Sequence, residues 1–190
     1  MVAVRRIAVT GGPGAGKTTL WRELAAALPD RIVAVPEVAT SLLRHVFPPV
    51  RDRVDRCALQ SAIFAVQRQL EVAHEARLAP GQVLLCDRGV PDGAGYWPDG
   101  PDAFFAAMQC DGAAELARYE AVLFLESAAV GGYAIDPNNP TRAEERDAAA
   151  RVDRQLRAVW AAHPNLHLLA CEADFARKLA RGRALFESWL

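Results

Sequence analysis

Gly11-Gly12-Pro13-Gly14-Ala15-Gly16-Lys17-Thr18-Thr19 decides how the rest of the chain is read. The stretch fits G-x-x-x-x-G-K-[ST], a loop whose backbone N–H groups cradle nucleotide phosphates. Glycines let the chain fold back without side-chain clash, so successive amides point inward as an anion nest. A helix following the loop aims its positive dipole end at the same phosphates. The flanks agree. Residues 4–9 read as a short strand, apolar at Ile7, Ala8 and Val9. Residues 18–28 read as a helix with Leu20, Leu24 and Leu28 at i, i+4 and i+8. Gly12, Gly14, Ala15, Gly16, Lys17, Thr18 and Thr19 are therefore the candidate phosphate-binding residues. Lys17 would reach the β- and γ-phosphates, and the Thr18 hydroxyl would take one position on Mg²⁺.

Outward from the loop, apolar runs alternate with helical patterns. Strands are predicted at 31–35, 82–86, 121–125 and 166–170, the middle two unbroken apolar runs as in a parallel strand covered on both faces. Helices are predicted at 37–46, 51–78, 102–110, 113–119, 142–162 and 174–189. In the long one, Leu59, Ile63, Val66, Leu70 and Ala73 mark an expected core-facing stripe. Arg53, Arg56, Gln60 and Gln67 form a polar strip that fits either an acceptor site or a solvent face. Residues 131–140 are too rich in turn formers for regular structure, which suggests a lid over about 127–146. The pattern predicts one α/β domain over 1–190, a five-stranded parallel sheet flanked by helices in a three-layer sandwich.

Bulk properties narrow the function. Of 190 residues, 52% are hydrophobic and 24% charged, with a formal net charge of −1. That balance carries no electrostatic footprint for nucleic acid. Cys57, Cys86, Cys110 and Cys171 lie far apart with no C-x-x-C pair, so neither a zinc site nor a disulfide framework is indicated, and all four read as small core fillers. No apolar stretch approaches membrane-spanning length, and no targeting segment precedes the first strand, so the expected location is cytoplasmic. The oligomeric state stays open, a dimer included.

In a doubly wound sheet, ligands sit beyond the carboxyl ends of the strands. The residues just after each strand are therefore the chemical candidates. Glu37, one proline beyond the second strand, faces the γ-phosphate crevice as a general base or a metal-bound carboxylate; a helix-start acid is the alternative. Asp87, closing the third strand, would hold Mg²⁺ opposite Thr18. Arg88 beside it would meet a phosphate or the acceptor with its planar fork. Asp92 and Tyr96 read equally as loop residues and as acceptor-pocket lining. Arg142 and Arg146, one helical turn apart after the glycine-rich segment, read as lid cations for transition-state charge. Arg151, Arg154 and Arg157 read as a solvated face, and the four histidines show no ligand spacing.

The order of motifs then resembles a known group. Gly-Gly-Pro-Gly-Ala-Gly-Lys-Thr-Thr is followed by Val-Pro-Glu-Val-Ala-Thr (35–40), by Asp-Arg-Gly-Val-Pro-Asp-Gly-Ala-Gly-Tyr (87–96), and by Arg142-x-x-x-Arg146. This is similar to the small AAA-labelled P-loop ATPase and kinase family grouped with nicotinamide-riboside kinase domains. More distantly it resembles deoxynucleoside kinases. The resemblance implies Glu37 as the catalytic base, Asp87 for Mg²⁺, Arg88 for substrate and phosphate, and Arg142 and Arg146 as lid arginines. It also implies that Glu172-Ala173-Asp174-Phe175 cups an adenine ring, so Asp174 and Phe175 join the ATP-binding set. Gly89 departs from the serine of the deoxynucleoside-kinase triplet, and the lid is sparser in arginine than many kinase lids.

The expected activity is transfer of the γ-phosphoryl of ATP, with Mg²⁺, to a hydroxyl of a small acceptor, a nucleoside-like one among the candidates. The alternative is a nucleotide-dependent ATPase or GTPase switch acting on a partner. ATP rather than GTP follows from the resemblance, since the chain carries no guanine-reading N-K-x-D-like motif.

Overall fold

In the computed structural model the strand entering the glycine-rich loop is Arg6–Gly11 (β1), buried along its whole length. Residues 5–133 and 143–190 are described. Val4 of the expected first strand and residues 134–142, the part of the predicted lid that includes Arg142, lie outside them.

The other strands are Ile32–Val35 (β2), Val83–Asp87 (β3), Ala121–Leu125 (β4) and Leu166–Leu169 (β5). All pairings are parallel, in the order β2-β3-β1-β4-β5. β1 is central and buried along its whole length, covered on both faces. The chain leaves β1 to one side for β2 and β3 and to the other for β4 and β5. The direction of winding thus changes at the tip of β1, which in such sheets opens a crevice. Pairing of Val9 with Asp87 and of Gly11 with Leu125 brings the ends of β3 and β4 beside the loop.

Helices cover both faces. Ile7 and Val9 face Leu20 and Leu24 of Lys17–Ala27 (α1), and the same layer contains Leu179 and Phe186 of Phe175–Glu187 (α8). Ala8 points the other way, into a layer with Tyr119 and with Leu156 and Trp160 of Ala143–Trp160 (α7). Alternation along one strand therefore specifies the three-layer sandwich. Ala39–His45 (α2) and Arg53–Glu75 (α3) follow β2. Asp52 caps α3 by accepting the Asp55 N–H at 2.9 Å. Asp92–Tyr96 (α4), Pro101–Ala107 (α5) and Gly112–Leu116 (α6) lie between β3 and β4.

Three local expectations are corrected. The buried face of α3 follows the predicted stripe only in part: Leu59 is buried and Ile63 and Leu70 are half-buried, but Val66 and Ala73 are exposed, while Gln60, Phe64, Gln67 and Glu71 are buried. Polar side chains can line this face because they find partners. Glu71 accepts from the Tyr119 hydroxyl at 2.7 Å and from Arg118 at 2.8 Å. Asp92 and Tyr96 lie in a short buried helix rather than a loop. Of the cysteines only Cys86 is fully buried, on β3; Cys57, Cys110 and Cys171 are partly exposed. Arg146 lies on α7, in keeping with the helix predicted over 142–162, and residues 134–142 of the expected lid lie outside the described residues.

Candidate active site

The glycine-rich loop joins β1 to α1 with Gly16 at φ 91°, the left-handed conformation that glycine adopts without strain. A Cβ at Gly16 would meet the Phe175 ring at 2.5 Å, so the glycine also lets that ring approach. Lys17 is almost fully buried and donates to the Gly12 carbonyl at 2.7 Å. Burial and the neighbouring Arg88 charge lower its ammonium to about 7, against the pull of Asp92, Asp87 and Glu37. Thr19 and Gly14 are exposed at the loop's outer edge, and Ala15 is buried. The Gly12 N–H is already engaged by Asp153 at 2.9 Å, so Gly12 shapes the loop through both its backbone groups.

Asp87 closes β3 and accepts from the Thr18 hydroxyl through Oδ2 at 2.9 Å. Its other oxygen, Oδ1, is buried without a hydrogen-bond partner. Burial raises the Asp87 carboxyl, with the Thr18 hydrogen bond working the other way and Glu37 adding to the rise. A buried carboxylate oxygen without a partner is costly. Beside a threonine hydroxyl, it fits one side of a hard cation that takes its remaining ligands from water and phosphate oxygens. Among the described residues no cluster of three or more His, Cys, Asp and Glu is arranged to hold a metal. Thr18 and Asp87 thus fit a Mg²⁺ that shares its shell with a nucleotide.

Arg88 follows at φ 75°, an uncommon conformation for a side-chain-bearing residue. Two carboxylates fix its guanidinium. Nε donates to Glu37 at 2.6 Å and Nη1 to Asp92 at 3.2 Å. It also lies 5.6 Å from the centre of the Tyr96 ring. Burial works against the charge of Arg88, but Tyr96, Asp92 and Glu37 outweigh it and hold the guanidinium firmly protonated. Glu37 stands before α2, not within it, and also accepts from Thr40 at 2.6 Å. Burial alone would raise its carboxyl; Arg88 and Thr40 overcome that and hold it below the ordinary value.

Asp92 connects this group to the core. Its carboxylate accepts from Thr10 at 2.7 and 2.8 Å and from the Trp160 indole at 2.7 Å, in addition to Arg88. Nothing in the spacing of α4 announces this role, because its partners come from β1 and α7.

Glu37, Arg88, Asp92 and Tyr96 line a cavity of about 330 Å³. Leu43, Leu59, Ile63 and Phe64 supply apolar wall, and Gln60 and Gln67 supply amides. The polar strip on α3 therefore divides: the two glutamines face inward with Arg56, whereas Arg53 pairs with Asp99 at the surface.

The remaining candidates scatter more widely. Asp174 caps α8, accepting the Arg177 N–H at 3.0 Å. Phe175 is half-exposed beside Gly16. Arg146 is half-buried on α7, seven residues before Asp153 and so on the same helix face. Sequence reasoning missed Asp153 and Lys178. The available signal was a charge at a core-facing helical position, Asp153 among Ala149, Ala150, Leu156 and Trp160, and Lys178 beside Leu179.

The model of a family described as "AAA domain" matches residues 6–178. No curated protein matches the chain. Among solved structures, the chain is similar to a thymidylate kinase from Ehrlichia chaffeensis, at 13% identity and a TM-score of 0.59, with 98% of each chain covered. At that identity the likeness shows the fold and nothing finer. No helix among the described residues is long and apolar enough to cross a membrane.

Proposed function

We propose that this chain, which belongs to the AAA domain family, moves the γ-phosphoryl of ATP to a hydroxyl of a small acceptor held beside Glu37. The observation that supports this most is the cavity of about 330 Å³ with Glu37 and Arg88 at its polar end. Both groups lie close enough to Lys17 to shift its proton affinity. Water-dependent hydrolysis alone needs no such volume; an apolar wall of Leu43, Ile63 and Phe64 suits an organic molecule.

In this reading the loop amides and Lys17 hold the phosphates, and the Phe175 ring and Asp174 bound the adenine side. Mg²⁺, held by Thr18 and Asp87, would neutralise charge on the β- and γ-phosphates. Glu37, kept ionised by Arg88 and Thr40, accepts the proton of the attacking hydroxyl. Arg88 orients Glu37, and Asp92 in turn orients Arg88. Arg146, on the helix face that also carries Asp153, adds positive charge as the phosphoryl group moves. Positioning and electrostatics supply most of the rate in phosphoryl transfer, which is why a pre-ordered carboxylate and guanidinium suffice.

The test is MgATP turnover against a panel of nucleosides, sugars and vitamins. The expected result is ADP release well above basal with at least one acceptor, matched by an equal amount of phosphorylated product. Turnover that stays basal with every acceptor overturns the transferase reading in favour of a nucleotide-dependent switch.

A further inference from the structure

Two buried ions beneath the glycine-rich loop take no part in the chemistry described above. Asp153 on α7 is 1% exposed and Lys178 on α8 is 3% exposed. A single peptide group joins them. The Ser127 N–H donates to Asp153 Oδ1 at 2.8 Å, and the Glu126 carbonyl, on the other side of the same peptide bond, accepts from Lys178 Nζ at 2.6 Å. Each ion also holds the loop. The Gly12 N–H donates to the same Asp153 oxygen at 2.9 Å, and Lys178 Nζ donates to the Ala15 carbonyl at 3.0 Å. The approach of Asp153 requires glycine, because a Cβ at position 12 would stand 2.5 Å from its Oδ1.

The circuit has a geometric consequence. In a trans peptide the C=O and the next N–H point in opposite directions. Holding the Ala15 carbonyl toward Lys178 therefore turns the Gly16 N–H the other way, into the loop. Holding the Gly12 N–H toward Asp153 and its carbonyl toward Lys17 fixes the peptides on both sides of Gly12.

We infer that Asp153 and Lys178 form a buried ion–peptide–ion brace that orients the amides of the phosphate loop, which makes both of them positioning residues for nucleotide binding. The inference rests on reading the loop as a nucleotide site. Burial disfavours each charge: it raises the Asp153 carboxyl, opposed by the Ser127 and Gly12 N–H groups, and lowers the Lys178 ammonium, opposed by Cys171, Asp153 and Glu126. Opposite charges on the two sides of one polarised amide ease both penalties.

The experiment is a double-mutant cycle on the full chain with Lys178→Met, Asp153→Asn and both together. MgATP affinity is read by titration calorimetry well below each variant's melting temperature. Amide exchange of residues 11–18 is followed without nucleotide. Lys178→Met is expected to weaken MgATP on the order of tenfold, since two carbonyls lose their donor and Asp153 its counter-charge. Asp153→Asn is expected to cost less, because its Oδ1 can still take both N–H groups. The double variant is expected to bind better than the product of the two losses by about threefold or more, and the loop amides to exchange faster in Lys178→Met. Folded variants with unchanged affinity and unchanged exchange, or losses that simply multiply, overturn the inference. Where Lys178→Met does not fold, Lys178→Gln, which keeps a donor without the charge, takes its place in the cycle. Wild-type protein that holds no MgATP overturns the nucleotide reading of the loop, and the nucleotide role of the brace with it, whereas wild-type binding with equal binding by the variants overturns the brace alone.

Discussion

The two halves of the crevice are built on different principles. On the side where the proposal places the phosphates, the groups on offer are backbone amides and one lysine within nine consecutive residues, braced from behind by α7 and α8. On the cavity side they are side chains from separate elements: Glu37 ahead of α2, Gln60 and Gln67 on α3, Arg88 after β3, and Asp92 and Tyr96 on α4. Anion recognition by backbone is insensitive to what else the ligand carries, whereas a side-chain cavity is read atom by atom. In the proposed reading, the half with a portable motif would therefore be the half with general chemistry, and the half without one would carry the specificity.

Variants can break or sharpen that contrast. The largest effect belongs to the shared centre. Lys17→Met is expected to lower turnover with any acceptor on the order of 10³-fold, measured as kcat at saturating MgATP. Equal turnover by the variant would remove Lys17 from the reaction.

Glu37→Gln tests the other half. It is expected to lower kcat about 10²-fold while MgATP affinity stays within twofold of wild type. A parallel loss of MgATP affinity would mean that the two halves are one site. The pH profile refines this. Arg88 and Thr40 hold the Glu37 carboxyl low, so the acidic limb of kcat/KM should lie below the ordinary carboxylate range. With Arg88→Met, burial dominates and the limb should move up in pH. The same sign governs stability. The ionised form is favoured by folding, so its contribution is present above the ordinary value near 4.5 and is lost as pH falls through the lower folded value.

Smaller effects separate the walls. Ile63→Trp, which fills the cavity, is expected to raise the acceptor KM about tenfold with MgATP affinity unchanged. Phe175→Ala should do the reverse, weakening MgATP about fivefold through the lost ring contact and leaving the acceptor KM alone. If either variant moves both constants equally, the cavity and the nucleotide site are coupled in the ground state.

The particular residues show what was readable. Asp87 and Arg88 could be placed at the crevice from their position at the end of an apolar strand, because strand ends point to the crevice whatever surrounds them. Gln60 and Gln67 could not. Their periodicity fits an acceptor site or a solvent face equally, and only the packing of α3 over β2 and α4 turns them inward. The predicted stripe failed at Val66 and Ala73, though not at Leu59, for a related reason: a network of Glu71, Tyr119 and Arg118 allows polar side chains to occupy the buried face. Asp92 was ambiguous because its three partners, Thr10, Arg88 and Trp160, are 82, 4 and 68 positions away.

By itself the sequence determined the sheet, the glycine-rich loop and the strand-end residues, since all three follow from local pattern and from the geometry every parallel sheet shares. Tertiary structure alone decided which carboxylate orients Arg88, which α3 residues line the cavity, and how Asp153 and Lys178 brace the loop. The reason is physical. Hydrogen bonds between distant elements depend on register and helix rotation, and neither is encoded within one segment.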